Sequence, residues 1–354
     1  MLRFPLLAQA ATVLALVVGA AAAQAADWHP LKVQVGAADK AALADYSPLA
    51  KASKSWSICV SFPHLKDPLF VAVNYGMIEE AKRLGARVQT LDAGGYTGLN
   101  TQISQIENCV AGGADAVVMV AVARDGMNNL LAQLKAKNIP VIDAINGVSS
   151  RDTAARVLTS PRDEGLRAGQ YLAKKHPAGS KAVKVGWLPG PSGAGFVEAF
   201  NSGFLEGIKG SAVVIAETKN GDVGKEVQAR LVEDMLQTHK DLDYVVGTAV
   251  MAEAAVPLLK ARKLQDKVKL VSVYMTPGVY ANVKARNIEA AGATPIPVLG
   301  RVMLDTTVRV LENKLEHADV NLLGQVWTSA DIGKLEASSV LAPASFRPVF
   351  KFGK

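Results

Sequence analysis

The chain alternates short apolar runs with amphipathic ones over most of its length. Ile58–Phe62 precedes an amphipathic Leu69–Leu84, Arg87–Leu91 precedes Asn100–Ala111, and Ala116–Val122 precedes Gly126–Lys137 and Val141–Ile145. The run AVVMVAV has no polar alternation, as expected of a strand buried on both faces. A helix between successive strands carries the chain back to the end where the first strand began, so the strands pair in parallel. The rhythm therefore specifies a parallel sheet covered by helices. Lys82 and Arg83 before Gly85 mark the end of the first helix, with cations in the last turn and a residue free to turn left-handed after it.

The alternation then restarts. Asp163–Lys175 reads as helix, Lys184–Leu188 as strand, Gly195–Ile208 as helix and Ala212–Thr218 as strand. Gly224–Thr238, Tyr244–Val246, Met251–Lys260 and Lys269–Tyr274 continue the pattern, and Gly300–Leu311 forms a last long helix. The breaker-rich passages Thr159–Arg162 and Gly292–Pro297 suit crossings between two lobes. With 354 residues there is length for both lobes. The expected division is a signal peptide over 1–25 and an extended lead over 26–55. One lobe then comprises 56–160 with 293–321, and the other 161–292 with 322–354.

The N-terminus sets the compartment. Arg3, an apolar run from Thr12 to Ala21 and the small-residue end Ala23-Gln24-Ala25 have the form of a secretory signal peptide. An N-terminal membrane anchor is the alternative, disfavoured by Gln9, Thr12, Gln24 and the A-x-A end. Export makes the two cysteines, Cys59 and Cys109, a possible disulfide, with two buried thiols the equal alternative. The formal charge of +7 raises nucleic acid as a partner, but lysines and arginines are interspersed with acids rather than clustered, so no nucleic acid is expected. His29, His64, His176, His239 and His317 are dispersed and form no metal-type pair, so neither a metal nor another cofactor is expected.

Open parallel sheets bind ligands beyond the carboxyl ends of their strands, and two facing sheets make a cleft. The strand-end loops here include Phe62–Phe70, Gly94–Tyr96, Val122–Asp125, Asn146, Pro189–Phe196 and Tyr274–Pro277. The loop Gly190-Pro191-Ser192-Gly193-Ala194-Gly195 lacks the Lys-Ser/Thr ending of a phosphate loop, and Pro191 interrupts a dinucleotide fingerprint, so it reads as a glycine-rich turn. His64 near Asp67 allows a polar His–Asp contact, but no local motif marks a nucleophile beside them. An enzyme is therefore not expected.

Phe62-Pro63-His64-Leu65-Lys66-Asp67, Val73-Asn74-Tyr75-Gly76, Ala93-Gly94-Gly95-Tyr96 and Gln105-Ile106-Glu107-Asn108-Cys109 resemble the TorT-like family of type I periplasmic binding proteins. So do Tyr244–Ala249, Val271–Tyr274, Gly278–Tyr280 and Phe346–Phe350, and the resemblance runs from about Trp28 to the C-terminus. It implies an α/β, two-lobed fold with a helix-flanked parallel sheet in each lobe and three interlobe crossings. It also implies a periplasmic protein without enzymatic activity, a small-molecule ligand such as trimethylamine N-oxide, and a membrane sensor histidine kinase as partner. Phe70, Tyr96 and Tyr274 match the family's aromatic cage positions, and Leu69 replaces another aromatic. Pro161, Arg162 and Asp163 stand where the family carries a tryptophan. Asp67, Asp163, Phe196 in its strand-end loop and Thr294 in the second crossing complete the candidate contacts. Asp67 orients a ligand or braces its loop; Asp163 pairs with a ligand or serves the helix start. The alternative function is solute delivery to an ABC permease.

Overall fold

The computed structural model describes residues 28–36 and 41–353. The expected signal peptide lies outside the described residues. The first βα series comprises β1 (Leu31–Val35), β2 (Ala42–Tyr46), β3 (Ser57–Phe62), α1 (Pro68–Leu84), β4 (Arg87–Asp92), α2 (Leu99–Ala111), β5 (Ala116–Met119), α3 (Asn128–Ala136), β6 (Val141–Ala144) and β7 (Ala155–Thr159). The second comprises α4 (Pro161–Lys175), β8 (Val183–Gly190), α5 (Gly195–Ile208), β9 (Val213–Asn220), α6 (Lys225–Thr238), β10 (Tyr244–Gly247), α7 (Ala249–Ala261), β11 (Lys269–Ser272), α8 (Pro277–Lys284) and β12 (Ala290–Ala293). The chain closes with α9 (Ile296–Leu311), β13 (Asp319–Leu322), β14 (Gln325–Thr328), α10 (Ala337–Val340) and β15 (Lys351–Phe352).

Two sheets result. The first runs β15-β4-β3-β5-β6-β7-β13-β1-β2, and the second β14-β12-β11-β10-β8-β9. The parallel centres share one plan. In each, the first strand of the series lies between the second and third, with the fourth and fifth beyond (β4-β3-β5-β6-β7 and β9-β8-β10-β11-β12). That order reverses direction beside β3 and beside β8, which opens a crevice at the carboxyl ends of the central strands. The expected two-lobed α/β fold with helix-flanked parallel sheets is observed.

Local chemistry accounts for the elements. The Asp67 carboxylate caps α1 by accepting the Leu69 N–H, Pro68 occupies the first turn, and Gly85 ends the helix at φ 71°. Thr248 and Thr276 cap α7 and α8 in the same way. Each lobe buries its own core. Trp187 of β8 stacks on Phe204 of α5 with ring centroids 4.2 Å apart, while Phe62, Met77 and Ile142 are fully buried in the other lobe.

The ends of the chain depart from the expected division. The lead is two strands, antiparallel to each other, joined to the sheet through β13. Asp305 of α9 holds this lead down, accepting from the Tyr46 hydroxyl at 2.6 Å and the Leu49 N–H at 2.8 Å. The tail, expected in the second lobe as part of 322–354, returns to the first. There β15 pairs antiparallel with β4, and Asn74 accepts the Val349 N–H at 2.8 Å. This return adds a crossing to the three expected, and it covers the outer edge of β4, whose backbone would otherwise be unpaired.

Candidate functional site

The carboxyl ends of the two sheets meet around a small cavity. It offers about 40 Å³ to the centre of a water molecule. From the first lobe it is lined by Asp67, Leu69, Phe70, Tyr96, Ile145 and Asn146. Thr159 and Pro161 line it at the crossing, and Glu164, Phe196, Phe200, Val223 and Tyr274 complete the wall. Six of the eight sequence candidates (Asp67, Leu69, Phe70, Tyr96, Phe196 and Tyr274) are thus brought together.

The aromatic side chains form a continuous chain across the cleft. His64 lies edge-on to both Phe70 and Tyr96, at 5.3 and 5.5 Å. Tyr96 meets Phe196 of the other lobe at 5.7 Å, and Phe196 meets Phe200 at 5.5 Å. Such tilted and edge contacts suit the ring quadrupoles. Tyr274 lies beyond the end of β11, which stops at Ser272 rather than running to 274. Leaving the sheet carries its ring across the cleft, where its hydroxyl donates to Asp67 Oδ2 at 2.5 Å.

Of the two roles the sequence left open, the structure shows the bracing one: Asp67 caps α1 through Oδ1, and it also bonds the opposite lobe through Oδ2. Burial pushes its carboxyl up to about 6, against the lowering pull of the Tyr274 and Leu69 hydrogen bonds. No bond to His64 forms. Both His64 ring nitrogens are buried without a hydrogen-bond partner among the described residues, and burial lowers the imidazole's affinity for a proton. On the other side, Asn146 donates to the Tyr96 hydroxyl at 3.0 Å and to the Ala121 carbonyl at 2.8 Å. The neighbouring Ile145 holds φ 60°, a costly conformation for a β-branched residue, and this turn brings Asn146 to Tyr96.

Two candidates fall elsewhere. Asp163 does not line the cavity; it lies partly exposed, facing Arg162 at 3.9 Å and Arg167 at 4.0 Å. Glu164 lines it instead, because consecutive helical residues point about 100° apart. Thr294 stands behind Glu164 and donates to its Oε1 at 2.8 Å. Burial pushes the Glu164 carboxyl up to about 7, opposed by the Thr294 hydroxyl.

Sequence reading missed Glu164 and Phe200, which lie inside helices. The four-residue spacing of Phe196 and Phe200 was the available signal, since it places both rings on one helix face. It also missed the glycines that set the helix positions. Gly165 and Gly169 of α4 pack against the backbone of α5, and Gly203 and Gly207 of α5 against that of α4. A methyl at Gly203 would overlap the Arg162 carbonyl, and one at Gly169 would stand 2.7 Å from the Phe204 carbonyl oxygen. The two helices that carry Glu164, Phe196 and Phe200 are thus locked together through backbone contact. The glycine-rich loop has a similar purpose: a Cβ at Gly195 would press on the Asn146 and Gly147 carbonyls of the other lobe. Away from the cavity, Cys59 of β3 and Cys109 of α2 face each other with Cα atoms 6.3 Å apart, a separation a disulfide spans.

A profile described as a periplasmic binding protein domain matches residues 58–315. The periplasmic protein TorT of Escherichia coli strain K12 is 32% identical over 300 residues, covering 85% of this chain and 86% of TorT. An ABC transporter solute-binding protein from Bradyrhizobium sp. BTAi1, solved with bound Bis-Tris, is 50% identical. It superposes with a TM-score of 0.79 over 92% of this chain and 99% of its own. The TorS sensor domain–TorT complex solved in the presence of TMAO has 29% identity and a TM-score of 0.75, over 84% of this chain and all of that one. Since the domain match takes in β4–β12 and α1–α9, well over half of the chain, and TorT is 32% identical over 85% of it, the protein belongs to the periplasmic binding protein family.

Proposed function

We propose that this is an exported ligand sensor, which holds a small molecule between its lobes and reports it to a membrane sensor histidine kinase. Residues 1–25 direct export and are removed. The lobes are the two sheets with their helices. The ligand contacts are Asp67, Leu69, Phe70, Tyr96, Phe196 and Tyr274, with Glu164 added, Thr294 positioning Glu164, and Asp163 outside.

The observation that carries this reading is the Tyr274–Asp67 hydrogen bond, which joins the lobes inside the cavity. A molecule held there touches both lobes. Its affinity then differs between open and closed arrangements, the condition for a ligand to shift a conformational equilibrium. The relation to TorT, crystallised with a sensor domain, supports a kinase as the reader of that shift. A wall of rings and aliphatic groups, with carboxylates already engaged by Tyr274 and Thr294, suits holding a ligand rather than turning it over. The test is a pull-down by the periplasmic domain of a histidine kinase encoded beside this protein. Retention that changes with ligand is expected; no retention with or without ligand refutes the kinase assignment.

Delivery to an ABC permease is the second reading, favoured by the 50% identical solute-binding relative. It requires that deletion abolish uptake of the ligand through a neighbouring permease, and unchanged uptake removes it.

A further inference from the structure

Glu164 is more than a generic small-molecule site requires. It is 8% exposed, in the first turn of α4, and lines the cavity. Its Oε1 takes the Thr294 hydroxyl, while Oε2 has no protein partner among the described residues and is not one of the fully buried unpartnered atoms, so it is open to the cavity. The neighbouring Arg167 guanidinium lies 4.0 Å from Asp163 and makes no hydrogen bond to Glu164, although its charge favours the ionised form of Glu164. A carboxylate among apolar groups with one oxygen open to the cavity is placed to take a donor and a positive charge from a ligand. Asp67, the other carboxylate in the wall, has both oxygens occupied by Leu69 and Tyr274. The rings of Phe70, Tyr96, Phe196 and Phe200 line the same space, and an aromatic ring attracts a cation placed over its face.

We propose that Glu164 is the specificity-determining residue of this cavity and that the ligand is a small protonated amine, which donates its N–H to Glu164 Oε2 and lays its alkyl groups on the aromatic wall. This rests on the cavity being the ligand site. The charge-assisted bond satisfies the open oxygen, and the apolar wall strengthens it by keeping water out. A ligand without a positive charge forms no ion pair at Glu164.

The experiment is titration calorimetry on the exported chain at neutral pH in an amine-free buffer. The probes are trimethylammonium chloride and tert-butanol, a neutral molecule with the same three methyl groups. The expected result is that trimethylammonium binds at least about ten-fold tighter than tert-butanol, and that Glu164→Gln removes that preference while leaving tert-butanol within about two-fold. Glu164→Asp, which keeps the charge, retains part of the preference and guards against a variant that merely misfolds. Equal affinity for the two probes, no binding of trimethylammonium, or a preference that survives Glu164→Gln overturns the proposal. Tyr96→Ala separates the two levels of the argument. If it leaves trimethylammonium binding intact, the cavity is not the ligand site and both readings fall. If it weakens both probes while Glu164→Gln changes neither selectively, only the assignment of charge falls.

Discussion

Replacing Tyr274 by Phe removes one hydroxyl and nothing else from the cavity. That hydroxyl donates to Asp67 Oδ2 at 2.5 Å, and the two residues are 6% and 3% exposed. When Asp67 is ionised, a hydrogen bond to it contributes roughly 1.5–3 kcal/mol; when it is protonated, the neutral bond contributes about 1 kcal/mol. Asp67 changes state at about 6, so the cost of Tyr274→Phe depends on pH. The direction follows from the same bond: Tyr274 lowers the Asp67 pKa, so it stabilises the ionised form more than the protonated one. For a chain of this length the melting temperature moves by about 1.5 °C per kcal/mol. Scanning calorimetry of the variant should therefore show a drop of ~3 °C at about pH 8 and about half of that at about pH 5. Asp67→Asn should level the two values, because nothing is left to ionise. An equal loss at both pH values, or none at the higher one, would refute the Asp67–Tyr274 bond as an ionisable tie between the lobes.

Glu164→Gln should stabilise the ligand-free protein in the opposite pH sense. Its carboxyl titrates at about 7 in the folded state, so the folded chain pays for ionisation progressively from the ordinary carboxylate range up to that value. The penalty is roughly 3 kcal/mol above neutrality and small near pH 5. Melting temperatures should rise at the higher pH only, and a fall there would refute the assignment. Cys59 and Cys109 close a loop with a sequence separation of 50, for which a disulfide contributes about 4 kcal/mol. Urea unfolding with and without reductant should differ by a large part of that, and superimposable curves would mean the thiols are free. Gly203→Ala forces α4 and α5 apart and should cost about 1–3 kcal/mol, with ligand affinity falling as Glu164 and Phe196 separate. A variant as stable as the parent would show that the helix crossing is loose.

Most of the fold was legible because it depends on local pattern. Helix α5 begins and ends where its periodicity does, Gly195–Ile208, and α1 extends only one residue, to Pro68, beyond the expected range. Helix α9 begins at Ile296 rather than Gly300, since Pro297 reads as a breaker in the sequence but is tolerated in a helix's first turn. The lead strands were not legible: β1 and β2 are short, and β1 reaches the sheet only through β13, nearly three hundred residues away in the chain. The same holds for the tail, whose strand β15 pairs with β4 across most of the sequence.

The order of apolar and polar residues by itself determined the two parallel sheets and the strand-end loops, because each follows from a period of two or 3.6 and from breakers close by, while Phe70, Tyr96 and Tyr274 were marked out by the resemblance to the TorT-like family. Only the tertiary structure decided that Glu164 rather than Asp163 lines the cavity. Neighbouring helical residues point in different directions, and which one points inward depends on how α4 rotates against α5. That rotation is set by Gly165, Gly169, Gly203 and Gly207 meeting across two helices, a contact between distant segments that no local pattern records. The Tyr274–Asp67 bond was hidden for the same reason: it joins residues 207 positions apart, and it exists because the two sheets bring their carboxyl ends face to face.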